Sequence, residues 1–174
     1  MLTNHTDRIT FLKYFGYVCL MLAAYLLQSA RTTGLWLLGG RCNILPFLVV
    51  CIALLEGPMA GGGFGFFAGT LLSLNSLSIE GLYALYLALF GILFGAFAAY
   101  YLRPILLTEL AGGSACLAVL SVFRYFFVYK LIYGTGLESA LFELVGGLLL
   151  SLPFGALCWL VTKKIHTALT EEQL

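Results

Sequence analysis

Long apolar stretches separated by short polar breaks form the main pattern of this chain. A helix needs about 20 apolar residues to cross the roughly 30 Å hydrocarbon core of a bilayer. We predict about six such spans, at residues 14–30, 44–55, 59–74, 81–102, 112–133 and 141–161. The pattern therefore predicts an all-α polytopic membrane protein in which the whole chain, 1–174, is one integral membrane domain.

Proline and glycine mark several of the predicted breaks. Pro58 is well placed to begin the third helix, and Arg103 before Pro104 ends the fourth. We interpret 105–111 as a connecting segment and 134–136 as a break before the sixth helix. The second run, 44–55, is short for a span, so it must be tilted, extended into its flanks or only partly inserted.

Basic residues suggest how the predicted bundle is oriented. With six spans the two termini share one side. If that side is the cytoplasm, the inner segments carry Arg8, Lys13, Arg103, Lys163 and Lys164, and the outer ones carry Arg31, Arg41 and Lys130. The positive-inside rule then favours a protein with both termini in the cytoplasm.

Composition agrees with lipid as the main solvent. The chain is 61% hydrophobic and only 10% charged, with a net charge of +1. A soluble domain is about half apolar and a quarter charged, and a nearly neutral chain does not suit nucleic acid. None of the five cysteines has the spacing of a metal site. We therefore expect the lipid bilayer as a partner and no metal or cofactor.

Glycines recur every four residues in the third and fourth spans. This spacing places them along one stripe of a helix, and such stripes let helices approach closely in lipid. The stripe either packs the protein's own bundle or docks the transmembrane helix of a partner. The candidate partner-binding residues are Gly57, Gly61, Gly65, Gly69, Gly91 and Gly95. A similar stripe in the sixth span consists of Gly147, Ser151 and Gly155.

Two opposite charges fall within apolar runs. A lone charge at membrane depth is costly, so Arg124 and Glu143 are candidates for an internal ion pair between the fifth and sixth spans. Alternatively, Arg124 extends to the headgroups. Glu56 and Glu80 flank the third span, and we expect them to be interfacial caps.

The residues of familiar catalytic sites are scarce. His5 and His166 lie in the predicted polar tails, Asp7 is the only aspartate, and no phosphate-binding loop is present. Candidate acids and bases reduce to Glu56, Glu80, Glu109 and Glu143. We therefore expect a protein that is not an enzyme.

The middle of the chain resembles the rod shape-determining protein MreD family. The matching residues are Arg41 to Pro46, Glu56-Gly57-Pro58, Gly61 to Leu72, Gly81 to Leu85, and Gly91 and Gly95. The family similarly has a proline at the start of its second span and a glycine-rich third span. Its usual acidic residue after that stretch falls at Ser73, which is a departure.

The resemblance implies a non-enzymatic part of the bacterial cell-elongation machinery in the cytoplasmic (inner) membrane. Members of the family are associated with MreC, and through it with MreB filaments, with the peptidoglycan synthase RodA and with its transpeptidase partner. A glycine-striped bundle would hold the single transmembrane helix of MreC by close packing.

The alternative function is small-molecule capture. In size and helix number the MreD family is similar to the substrate-binding subunits of energy-coupling-factor vitamin transporters, which enclose a ligand pocket. Those subunits commonly carry an AxxxA stripe on the first span, whereas no two of Ala23, Ala24 and Ala30 lie four residues apart here.

Overall fold

The structure, a computed structural model, describes residues 3–29, 43–74, 81–101, 104–125 and 137–171, with side chains at 10–29, 43–74, 81–101, 104–123, 125 and 145–168. Helices make up nearly all of these residues, and no strand occurs among them. The helices are α1 (Thr3–Ser29), α2 (Leu45–Glu56), α3 (Pro58–Leu74), α4 (Leu82–Tyr101), α5 (Leu106–Arg124) and α6 (Leu137–Glu171). The predicted all-α class is confirmed.

The short helix α2 lies at the centre of the bundle. It contacts all five other helices, and every residue from Leu45 to Ala53 is buried. A helix that is apolar on all sides belongs in an interior. Its 12 residues extend only about 18 Å, so it is shorter than the bilayer core. The second apolar run is therefore a core helix surrounded by protein rather than a lipid-facing span.

Helices α3 and α4 form an antiparallel pair beside α2. Gly61 of α3 lies opposite Gly91 of α4, and Pro58 at the start of α3 lies opposite Gly95 near the end of α4. Helices α2 and α3 are joined by a single residue, Gly57, whose φ is +89°. This left-handed conformation suits glycine because it has no β-carbon, and it lets the chain reverse between two packed helices.

Four helical segments are long and apolar enough to cross a membrane. They are Thr10–Ser29, Leu82–Tyr101, Leu106–Phe123 and Val145–Ala168. Between 17% and 33% of each of these segments is buried inside the bundle, so many large apolar side chains point outward, including Leu26, Leu85 and Leu160. Lipid is the solvent that such a surface requires. The protein is a polytopic helical membrane protein.

The structure corrects the predicted start of the fifth helix and the extent of the terminal helices. The segment 105–111 is not a connection, because α5 already begins at Leu106, directly after Ile105 in extended conformation. Helix α6 continues beyond the predicted end at Val161 to Glu171, and α1 begins at Thr3 rather than near Tyr14. Both helices therefore continue beyond their apolar runs into polar sequence. The predicted breaks at 75–80 and 134–136 lie outside the described residues.

Candidate functional site

The predicted glycine stripes of α3 and α4 lie against each other. A β-carbon added to any of five of these glycines would overlap backbone atoms of the opposite helix. We call these residues the glycine seam: Gly61, Gly65 and Gly69 of α3, and Gly91 and Gly95 of α4. Of the two alternatives for the stripe, the structure places these residues in packing within the chain. The glycine face of each helix is filled by the opposite helix, so it has no room for the helix of a partner.

Two other glycines near the seam have different surroundings. A β-carbon at Gly57 would meet nothing within 4 Å, so this candidate residue serves the corner between α2 and α3 through its positive φ. Gly63 is exposed and also has nothing within 4 Å of a β-carbon. Gly63 therefore points away from α4, which makes it a natural control for its neighbours in the seam.

The small residues of the sixth span make room for α2. A β-carbon at Gly155 would lie 2.6 Å from the ring of Phe47, and Gly113 of α5 faces the same ring. The hydroxyl of Ser151 donates to the Gly147 carbonyl at 2.6 Å. Phe47 is fully buried, so the glycines of α5 and α6 close around one large side chain at the centre of the bundle.

Glu56 ties three helices together at one end of the bundle. Its Oε1 accepts hydrogen bonds from Lys13 Nζ at 2.5 Å and Tyr17 Oη at 2.8 Å, both on α1. His166 Nδ1 on α6 lies 2.8 Å from the same oxygen. The Lys13 and Glu56 side chains are each only 12% exposed. The expectation that Glu56 caps the third span is wrong, because the contacts of its carboxylate join α2 to α1 and α6.

A second polar contact joins α1 to the start of α2 at the opposite end of the bundle. Gln28 donates from Nε2 to Asn43 Oδ1 at 3.0 Å, and its Oε1 accepts from the Ile44 backbone N–H at 3.2 Å. The Asn43 backbone N–H donates to Ser151 Oγ of α6 at 3.0 Å. These bonds satisfy backbone groups at the start of α2 that the helix itself leaves unpaired.

Glu109 lies in the first turn of α5 and is fully buried. Neither of its carboxylate oxygens has a hydrogen-bond partner. It neighbours Cys51 of α2, which also faces Thr162 and Cys158 of α6. The Thr162 hydroxyl, which neighbours the Cys51 thiol, is fully buried and has no hydrogen-bond partner. An acid with no partner inside a membrane bundle is the most unusual chemical feature of the described residues.

Other candidate positions are partly described. The Arg124 and Glu143 side chains, the proposed internal ion pair, lie outside the described side chains, and Glu80 lies outside the described residues. Ser73, at the position of the family's usual acid, donates to the Thr70 carbonyl of its own helix at 2.7 Å. That bond gives Ser73 a local role in α3.

Sequence reasoning missed the polar contacts that join distant helices. Glu56 is 39 positions from Tyr17 and 110 from His166, so no local spacing connects them. Glu109 was noted only as a candidate acid, and its burial depends on where α5 begins. One feature of the sequence could have indicated that Glu56 has partners on other helices. It ends the short apolar run 44–55 and directly precedes the corner at Gly57.

Known proteins supply no further guide to the site. Within the described ranges, no three His, Cys, Asp or Glu side chains are grouped as metal ligands. Comparisons with protein families, with curated proteins and with solved structures find no match for this chain.

Proposed function

We propose that this protein is a non-enzymatic scaffold of the bacterial cell-elongation complex, which binds MreC and helps to position peptidoglycan synthesis. The observation that carries the proposal is the use made of the residues that resemble the MreD family. The described parts of that stretch, 43–74 and 81–101, build the unit of α2, α3 and α4 with its glycine seam. The resemblance therefore lies in residues that shape the bundle, as expected for a structural component.

The proposal assigns the partner to a lipid-facing surface. The seam glycines are engaged between α3 and α4, so they are no longer candidates for the surface that holds MreC. The outward apolar residues of the long helices remain in reach of another transmembrane helix. Through MreC the scaffold would act with MreB, with RodA and with its transpeptidase partner.

The proposed location is the bacterial cytoplasmic membrane, with both termini in the cytoplasm. Lys13 of α1 and His166 of α6 both contact Glu56, so the first and last helices have their terminal ends at the same end of the bundle. This arrangement supports an even number of crossings. The excess of basic residues in the corresponding segments supports the cytoplasmic side.

Vitamin capture by a transporter subunit is less well supported. Such a subunit needs a cavity within the bundle, whereas the buried side chains of α2, Phe47, Leu48 and Ile52 among them, occupy the centre here. Large apolar side chains at that position favour a packed scaffold over a ligand container.

Co-purification tests the proposal. The full chain is co-expressed with MreC from the same genome and extracted in mild detergent, with an unrelated single-span membrane protein as the matched control. We expect MreC, and not the control, to co-elute. Capture of both proteins or of neither, or a vitamin in the mass spectrum of the purified chain, would overturn the proposal.

A further inference from the structure

Glu109 combines complete burial with a complete lack of partners. Its exposed fraction is 0%, and both carboxylate oxygens lack a hydrogen bond. Other buried polar side chains in the bundle are engaged: Glu56 accepts three contacts and Ser151 two. Among the described residues, the Thr162 hydroxyl is the other buried side-chain group without a partner. Leaving a carboxylate unpaired costs far more than leaving a hydroxyl unpaired, so the isolation of Glu109 calls for a ligand.

The described groups around Glu109 offer no compensating positive charge. Cys51 of α2 is its titratable neighbour, and that thiol also neighbours Cys158 and Thr162 of α6. The side of α5 next to α4 is apolar, where Gly112 meets the ring of Phe94. A carboxylate without a counter-charge in such surroundings is strongly disfavoured, because its lost hydration is not replaced.

Two small ligands could neutralise the carboxylate: a proton or a metal cation. Hard cations such as sodium require several oxygen ligands, whereas the side chains here supply the Glu109 carboxylate, one hydroxyl and thiols. Thiols are poor ligands for hard cations. A proton needs only the carboxylate itself, so the geometry favours a proton.

The Glu109 neighbourhood is also close to the end of the bundle marked by Glu56. Thr162 and His166 are four residues apart on α6 and therefore lie on one face of the helix. His166 is half-buried at Glu56, whereas Thr162 is fully buried one turn deeper. About one helical turn, roughly 5 Å along α6, thus separates Thr162, beside the Cys51 thiol, from the half-buried His166 at the end of the bundle.

We propose that Glu109 is an internal proton-binding site of this membrane bundle, which carries a proton at neutral pH in the folded protein. The site is independent of the scaffold function proposed above. It gives the bundle a carboxyl group that becomes negatively charged when it loses its proton. The packed interior of α2, α5 and α6 disfavours that ionised form.

Infrared spectroscopy of the purified full-length protein tests the proposal. At neutral pH we expect a carbonyl band of a protonated carboxylic acid that disappears in Glu109→Gln and remains in Glu56→Gln, because Glu56 is ionised beside Lys13. The band should decrease as the pH is raised. Absence of the band at neutral pH, or its loss when sodium chloride replaces choline chloride, would overturn the proposal in favour of an ionised carboxylate or a cation site.

Chemical labelling of the unmodified chain gives a second test that does not depend on a folded variant. Dicyclohexylcarbodiimide is an apolar reagent that reacts with protonated carboxyl groups in membrane interiors. We expect a mass adduct on the peptide that contains Glu109 and several-fold less on that of Glu56, equally in sodium and in choline buffer. Adduct on Glu56 but not on Glu109, or protection of Glu109 by sodium, would contradict the proton site.

Discussion

Helices α4 and α1 are held in the bundle in opposite ways. Helix α4 meets α3 through backbone contact along the glycine seam. Helix α1 instead packs side chains such as Met21 into the core, and polar side chains bond it to the bundle, with Lys13 and Tyr17 at one end and Gln28 at the other. The α4 span is 33% buried and the α1 span only 17%. Adding a methyl group to a seam glycine should destabilise the contact between α3 and α4. Removing a charge should weaken the attachment of α1.

The largest effect is expected from a bulky residue in the seam. In Gly69→Val, the new side chain would meet backbone atoms of Tyr83 and Ala84, which cannot rotate away as a side chain could. Overpacking typically costs about 1–3 kcal/mol, and we expect the upper end of that range here because the clash is with backbone atoms. Unfolding by SDS in mixed micelles measures the loss. Gly63→Val is the control, and it should cost less than about 1 kcal/mol because its β-carbon enters open space. Equal losses would disprove the seam.

Removing the charge of Glu56 should weaken the attachment of α1. Glu56→Gln keeps the shape but ends the ion pair with Lys13, and we expect a loss of about 2 kcal/mol in the free energy of unfolding. In that background Lys13→Met should cost little, because the lysine no longer has a partner. Lys164→Met, at an exposed position of α6, is the matched control. Additive losses for the two changes would show that the pair does not couple α1 to α2.

The corner between α2 and α3 should respond to a single methyl group for a conformational reason. Gly57→Ala meets no neighbouring atom but must adopt φ +89°, which costs an L-residue about 1–2 kcal/mol. Thermal denaturation in detergent measures the effect. The same change at Gly63, inside α3, should be neutral or slightly stabilising because alanine favours helix. A neutral Gly57→Ala would mean that the corner adopts another conformation.

The smallest effect is expected at the second attachment of α1. Gln28→Leu removes the hydrogen bonds to Asn43 and to the Ile44 backbone, and polar contacts within membranes are worth about 1 kcal/mol. A double-mutant cycle with Asn43→Leu measures how much of this loss comes from the side-chain hydrogen bond between Gln28 and Asn43. A coupling energy of zero would contradict that bond.

Hydrophobic patterning predicted the helices well because each long span is a local property of the chain. The run 81–102 became α4 with nearly the same bounds, since Arg103 and Pro104 mark its end. Helix α2 shows the limit of hydrophobic patterning. A short apolar run can be a lipid-facing span or a core helix, and only its contacts with the other helices distinguish the two. The start of α5 was placed too late because Glu109 gave the first turn a polar appearance although its side chain points inward.

The site was harder to predict than the fold. Glycine spacing correctly identified the residues that pack closely, because a stripe is visible at four-residue intervals. It could not show whether the stripe faces α4 or another protein. The Glu56 contacts join α1, α2 and α6 across sequence distances that no local pattern reports, and charged residues near helix ends are ordinarily interfacial.

The most direct test compares Gly65→Ala with Gly63→Ala in protein purified without any partner. A β-carbon at Gly65 would overlap the Leu87 backbone, whereas one at Gly63 would meet nothing. We predict that Gly65→Ala lowers the unfolding temperature of the isolated protein and that Gly63→Ala does not. If Gly65→Ala were as stable as the unchanged chain but failed to co-purify with MreC, the glycines would belong to a partner interface and the account would be contradicted.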